Sequence, residues 1–377
     1  MAVIAVTKER QAGETRVAAT PETVKKLIGA GFSLVVEAGL GAASSYPDAD
    51  YAAAGAELVS DAVQAIGKAD ILLKVRGPVS EEIAALKADA LVIGMLNPHQ
   101  DKATLQALAT KGVRAFTMEF VPRITRAQVM DVLSSQANLA GYRAVIEAAN
   151  AYGKVLPMMM TAAGTVAAAK VFVMGAGVAG LQAIATARRL GAVVTATDVR
   201  PAAKEQVQSL GAKFIAVEDE EFKAAETAAG YAKEMSAEYQ AKQAELVSEH
   251  IKKQDIVITT ALIPGRAAPR LVSAAQAASM RPGSVIVDLA VEQGGNVEGS
   301  KAGEVVDLPG GVKIVGYANL PGRIAADASA LYARNLFAFT GLLLDKEGAF
   351  APDYEDEILK AALVTQGGAV VHPALAG

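Results

Sequence analysis

Two α/β domains, each built on a doubly wound parallel sheet, with a cleft between them and the first one discontinuous, are what this sequence predicts, and three observations predict them. The run Val171-Phe-Val-Met-Gly-Ala-Gly-Val-Ala-Gly180 takes an apolar strand into three glycines at G-x-G-x-x-G spacing; a helical stretch then leads to Leu190, and Val193-Val-Thr-Ala-Thr forms a second strand ending in Asp198. Apolar, β-rich runs separated by helices continue that rhythm to about residue 320. The first 120 residues alternate more faintly without such a fingerprint, and the chain returns to helix from Pro321 onward. Both domains therefore read as Rossmann-like: 135–318 is the fingerprint domain, 1–125 plus 322–377 the discontinuous partner, and a helix over about 134–152 crosses between them.

In the partner domain, strands read at 3–6, 33–37, 70–75, 90–94 and 113–117, with a helix opened by Thr20 and Pro21 and closed near Gly31. In the fingerprint domain the first two strands are followed by a helix over 203–210 and strands at 213–217, 255–260, 284–289 and 312–316, six strands in all. Ligands of doubly wound sheets sit beyond the carboxyl ends of the strands, so segments 259–265, with Ala261, Leu262 and Pro264, and 288–295 either line a cofactor cleft or are ordinary strand-to-helix turns. The charged stretch 218–253 predicts a largely exposed helix with Gly230-Tyr231 as a break before it. It is either a lid with Tyr231 as its contact or a solvated excursion. After Pro321 a long apolar run over 326–343 predicts a helix that completes the first domain.

The fingerprint points to a dinucleotide. Gly175 permits the tight turn, Gly177 lets backbone approach a pyrophosphate, and Gly180 lets helix and strand pack closely, while Val178 and Ala179 open a helix whose N-terminus favours phosphate. Asp198 arrives at the distance expected for a carboxylate on the adenosine ribose, with Val199 and Arg200 beside it. A carboxylate there repels a 2′-phosphate, so NAD(H) is favoured over NADP(H), and Arg200 reads as a solvated loop residue.

Composition narrows the classes. The 377 residues are 52% hydrophobic, and the most apolar stretch, 158–187, has Lys170 as its one charge. Its glycines and its fingerprint predict a buried strand and helix rather than a bilayer span. With no cysteine the chain has no disulfide, thiolate metal site or thiol nucleophile, which fits a cytosolic protein. A net charge of −4 argues against nucleic acid as partner. No metalloprotease or P-loop pattern appears, and no metal is expected.

Two further clusters carry charge. Lys8-Glu-Arg-Gln-Ala-Gly-Glu-Thr-Arg16, with Lys74 and Arg76, is either active-site material or a surface ion-pair network. In Arg123-Ile-Thr-Arg-Ala-Gln128-Val-Met-Asp131-Val-Leu-Ser134, Gln128 and Asp131 share a helical face, and Arg123 is within reach as counter-ion. That trio either holds a ribose or carboxamide or is the polar start of a capped crossing helix. The three histidines, His99, His250 and His372, lie away from evident central strand ends and read as packing or surface residues rather than acid–base groups.

The run from Pro122 to Arg143, the segment Pro157-Met-Met-Met-Thr-Ala-Ala-Gly-Thr165, the fingerprint, Thr197-Asp-Val-Arg200, Gly230-Tyr-Ala-Lys-Glu-Met235 and Val371-His-Pro-Ala-Leu375 resemble, over essentially the whole chain, the NAD(H)-binding domain I of proton-translocating nicotinamide nucleotide transhydrogenases. The likeness extends more distantly to alanine dehydrogenases, through residues 9–17, Lys74 and 288–295. It implies that Arg123, Gln128, Asp131 and Ser134 position the nicotinamide end of NAD(H), that Asp198 takes the ribose and that Tyr231 belongs to a mobile loop. It also implies a homodimer docking on an NADP(H)-binding domain III, with a membrane-spanning domain II beneath, and hydride passing directly between nicotinamide rings. The chain is then cytoplasmic, peripheral on the inner face of a bacterial membrane through its partners, as a separate subunit or a truncated form. An alanine dehydrogenase needs an acid–base histidine where this chain aligns Met95, and an aspartate where it has Glu292. A third reading is an NAD-sensing or assembly subunit.

Overall fold

The computed structural model describes residues 1–224, 235–263 and 265–375, and the chain divides into two units, Met1–Gln136 with Pro321–Gly377, and Ala137–Leu320. Both are α/β units whose sheets are dominated by parallel pairing.

The first unit's eight strands lie in the order Ala369–Val370, Leu363–Gln366, Arg114–Thr117, Leu91–Met95, Ile71–Arg76, Val3–Val6, Ser33–Glu37, Glu57–Val59. Alternate residues of the central strands face opposite layers, which is why the strands read as continuous apolar runs. Ile4, Val6, Leu73 and Ile93 pack with Tyr332, Leu336 and Phe339 of helix Ala325–Thr340; Ala5, Leu72 and Val92 pack with Ile66, Leu105 and Leu108 on the other side. The chain's return after Pro321 covers one face with that helix and then adds Leu363–Gln366 antiparallel to Arg114–Thr117. Helix Pro21–Gly29 begins as its sequence implies, with Thr20 in a capping box and proline at the first position.

The second unit's sheet runs Lys213–Phe214, Val193–Thr197, Lys170–Met174, Ile256–Thr259, Val285–Asp288, Lys313–Val315, Val305–Asp307. Its first six strands are parallel, and the strand order reverses beside Lys170–Met174, so the switch point lies between the carboxyl ends of Lys170–Met174 and Ile256–Thr259. The seventh strand, Val305–Asp307, is antiparallel and was not among the six expected. It is short and largely exposed, and so carries little apolar signal.

Segment 158–187 is corrected in its first third. Met159–Thr161 and Gly164–Val166 form an exposed antiparallel hairpin, with Met160 76% accessible, and only from Ala169 onward does the segment become buried strand and helix. Composition marked the residues as apolar; it did not say that they leave the sheet before it begins. In the charged stretch the described portion contains Glu220–Lys223 and a 15-residue helix, Ala237–Ile251. No helix of the described residues is long and apolar enough to cross a membrane.

Candidate functional site

At the second unit's switch point the three glycines answer three different demands. Gly175 leaves strand Lys170–Met174 with φ +107, and a Cβ there would strike the Thr260 hydroxyl. Gly180 sits in the first turn of helix Val178–Arg189, where a Cβ would collide with the carbonyl oxygen of Gly175. Gly177 caps that helix without a side-chain bond, and a Cβ at this position meets nothing within 4 Å. The first-turn N–H groups, with Val178 41% exposed, therefore open onto uncrowded space, an arrangement that suits a pyrophosphate. Gly141 of helix Val132–Ala151 allows close approach to the backbone of Ala179, which backs this junction.

Asp198 follows the second strand and its carboxylate ties the site together. Its Oδ2 accepts the N–H of Ala176 at 2.7 Å, and its Oδ1 accepts the backbone N–H of Arg200 at 2.8 Å. Arg200 is not the solvated loop residue expected: its Nε and Nη2 donate to the two carboxylate oxygens at 2.9 and 3.1 Å. The spacing of two residues through a turn lets the side chain fold back onto the acid, which linear sequence does not display. Val199, between them, is exposed.

The opposite wall comes from strands Ile256–Thr259 and Val285–Asp288. Ala261 and exposed Leu262 follow the former; Pro264, like Tyr231, lies outside the described residues. Two residues not singled out from sequence hold this wall. Buried Asn296 accepts the N–H of Ala261 at 3.1 Å and donates to the carbonyls of Ala261 and Pro269 at 2.9 and 2.8 Å. Buried Asp288 accepts the N–H groups of Ala290, Asn296 and Val297 at 2.9, 3.2 and 3.1 Å. An asparagine just after paired glycines at a strand end was the available signal. The groups present thus fit a dinucleotide: a cradle for phosphates, an acid for a ribose and a braced loop opposite.

The second cluster belongs to the first unit. Gln128 lies in the 3₁₀ turn Thr125–Met130 and Asp131 closes it. The Asp131 carboxylate accepts the N–H and the hydroxyl of Ser134 at 2.8 and 2.6 Å, so it caps helix Val132–Ala151. Arg123 is exposed and forms no ion pair with Asp131; the paired arginine of this stretch is Arg126, 2.6 Å from Asp356. The expected counter-ion contact is therefore absent, and the structure brings together Asp131 and Ser134 instead. Asn335, also unforeseen, donates to the Val129 carbonyl at 2.8 Å and accepts Ser135 Oγ at 2.7 Å, fixing the turn against helix Ala325–Thr340.

The Lys8-to-Arg16 cluster is neither of the two alternatives read from sequence. Arg16, 3% exposed, donates Nε and Nη2 to Glu14 at 2.8 and 2.6 Å and Nη1 to Gln136 at 2.8 Å. Lys74, fully buried, spends its ammonium on Thr7 Oγ1, the Lys8 carbonyl and Glu82 at 3.1, 2.9 and 3.1 Å. It is a buried, internally balanced network. Burial alone would raise Glu14, but the Arg16 fork and the charges of Arg16 and Arg76 pull it down to about 2. Burial raises Glu9 against the opposing charge of Lys74.

The histidines are engaged in packing. His99 and His372 flank the Phe120 ring at 5.4 and 4.4 Å; His250 packs on Phe172 and shares a 2.8 Å hydrogen bond with Thr195. Burial lowers both His250 and His372, favouring neutral rings. Among the described residues no acidic or histidine group is arranged to hold a metal.

The chain matches the family described as alanine dehydrogenase/PNT, N-terminal domain, over residues 5–140, and that described as alanine dehydrogenase/PNT, C-terminal domain, over 144–373. It is 53% identical to the first of the separately encoded portions of NAD(P) transhydrogenase subunit alpha in Rhodospirillum rubrum, over 99% of both chains. It is 30% identical to the alanine dehydrogenase of Halomonas elongata over 99% of this chain and 95% of that one. The crystal structure of transhydrogenase from Sinorhizobium meliloti matches with a TM-score of 0.90 at 58% identity, covering 98% of this chain and 100% of that chain.

Proposed function

The chain belongs to the alanine dehydrogenase/PNT family, and on that premise we propose that it is the NAD(H)-binding subunit of a proton-translocating transhydrogenase. Its resemblance to transhydrogenase alpha subunits is much stronger than to alanine dehydrogenases, which favours the first branch. When bound, the dihydropyridine of NADH supplies the hydride, which an NADP⁺ held on a separate domain III accepts. The chain's own part is to bind and aim. The first-turn N–H groups beyond Gly177 hold the phosphates, Asp198 takes the adenosine ribose, and Leu262 and Pro264 lie with Ala261 on the facing loop. Arg123, Gln128, Asp131 and Ser134 hold the nicotinamide end by directed hydrogen bonds, and Tyr231 contributes from its loop. A homodimer, with the membrane-spanning domain II in other chains, completes the assembly at the inner face of the membrane.

The observation that carries this reading is an open nucleotide cradle in a chain whose three histidines are all engaged in packing. A transfer between two rings needs proximity and orientation, and no protonated side chain. Alanine oxidation needs both a proton acceptor and a free cation for the substrate carboxylate. Here Met95 stands at the end of strand Leu91–Met95, and the donors of Arg16 and Lys74 are taken by Glu14, Gln136, Thr7, Lys8 and Glu82. Mixing the purified chain with a domain III partner and following NADH-dependent reduction of a bound NADP analogue tests the proposal. Rapid transfer is expected; NAD⁺ reduction with alanine in the absence of any partner overturns it.

A further inference from the structure

The Asp198 carboxylate offers about four acceptor positions, and in this structure four donors fill them. Ala176 N–H takes one on Oδ2, the backbone N–H of Arg200 one on Oδ1, and the Arg200 guanidinium one on each oxygen. A ribose diol brings two hydroxyl donors to the same carboxylate. The backbone bonds belong to the turn and to the glycine loop and are not readily given up. The guanidinium is the removable pair, because its side chain is one-third exposed while that of Asp198 is 7% exposed.

We propose that Arg200 is a specificity-determining residue that acts through Asp198: it occupies the ribose-accepting face of the carboxylate in the free chain and must swing off when an adenosine ribose binds. The proposal rests on the reading of this cradle as an NAD(H) site. It assigns Arg200 two opposed effects. For a 2′-hydroxyl nucleotide, breaking a partly exposed ion pair is a small cost added to every binding event. For a 2′-phosphate nucleotide, the displaced guanidinium is a cation two residues from the acid, placed to offset the repulsion that Asp198 exerts. Arg200 therefore weakens binding of the favoured cofactor slightly and softens rejection of the disfavoured one, and discrimination is narrower than the carboxylate alone would set.

Calorimetric titration of NADH and NADPH into the wild-type chain, Arg200→Ala and Arg200→Lys tests this, with thermal unfolding as a check on folding. Arg200→Ala is expected to bind NADH roughly two- to fivefold more tightly, the scale of an exposed pair, and to bind NADPH several-fold more weakly, so the ratio widens by about tenfold. Arg200→Lys keeps the charge and loses the fork; it is expected to share the gain for NADH while retaining most of the NADPH affinity. Normal wild-type NADH binding with an unchanged or narrowed ratio in Arg200→Ala overturns the proposal alone. Tighter wild-type binding of NADPH than NADH overturns the cofactor reading and this inference with it.

Discussion

Gly177 and Gly180 stand three residues apart at one strand-to-helix junction, and substitution separates their roles. Alanine at 180 would drive a methyl into the Gly175 carbonyl, so Gly180→Ala is expected to destabilise the chain by about 1–3 kcal/mol, read as a lowered unfolding temperature, and to lose NADH binding with it. Alanine at 177 meets only open space at an ordinary φ of −75. Gly177→Ala should therefore unfold as the wild type does and still bind NADH at least about tenfold more weakly, because its methyl enters the volume a pyrophosphate needs. Asp131 invites a similar division. Asparagine caps helices as well as aspartate does, so Asp131→Asn should leave stability within a few tenths of a kcal/mol, whereas Asp131→Ala should cost about 1 kcal/mol. If Asp131 orients the nicotinamide, Asp131→Asn slows hydride transfer far more than it weakens NADH binding; equal losses in stopped-flow and titration would reduce it to a simple binding residue.

The loop after strand Ile256–Thr259 owes its shape to Asn296, whose three hydrogen bonds join it to Ala261 and Pro269. Removing that amide leaves buried backbone groups unpaired, at about 1–3 kcal/mol in urea unfolding, and Asn296→Ala should also lower NADH affinity although Asn296 is assigned no contact with cofactor. Elements such as this were only half legible. Helix Pro21–Gly29 and strands Val3–Val6 and Ser33–Glu37 stood out because caps and apolar runs are local properties. Strands Glu57–Val59 and Val305–Asp307, three residues each, exist because a neighbour pairs with them, and no window of sequence holds that neighbour. The hairpin Met159–Thr161 and Gly164–Val166 misled for the same reason: apolar residues were read as interior, and their burial depends on what lies beside them.

At the scale of whole units, acid should act on the first through Glu14. Its folded value, about 2, lies below its ordinary one, so its contribution to stability is complete above about pH 4.5 and is lost as pH falls toward about 2. Wild-type stability is expected to fall more steeply across that window than that of Glu14→Gln, measured by denaturant unfolding at each pH; parallel curves would mean the Arg16 fork contributes nothing. The same network bears on function for the protein as a whole. With Arg16 and Lys74 neutralised internally, the chain should show no alanine oxidation at any pH at which it stays folded, and transfer should appear only when an NADP(H)-carrying partner is added.

Local sequence by itself determined the dinucleotide cradle, because the chemistry of a βαβ turn is written in consecutive residues: glycines where backbone must bend or approach, and an acid where the next strand ends. It likewise determined that two α/β units alternate along the chain, since helix and strand periods are short-range. What tertiary structure alone decided is which charges meet. Arg200 folds back on Asp198, Arg123 leaves Asp131 to Ser134, and Glu14 and Glu82 satisfy Arg16 and Lys74. An ion pair depends on distance and burial in space, and residues 8 and 74 become neighbours only when their two strands lie side by side in one sheet.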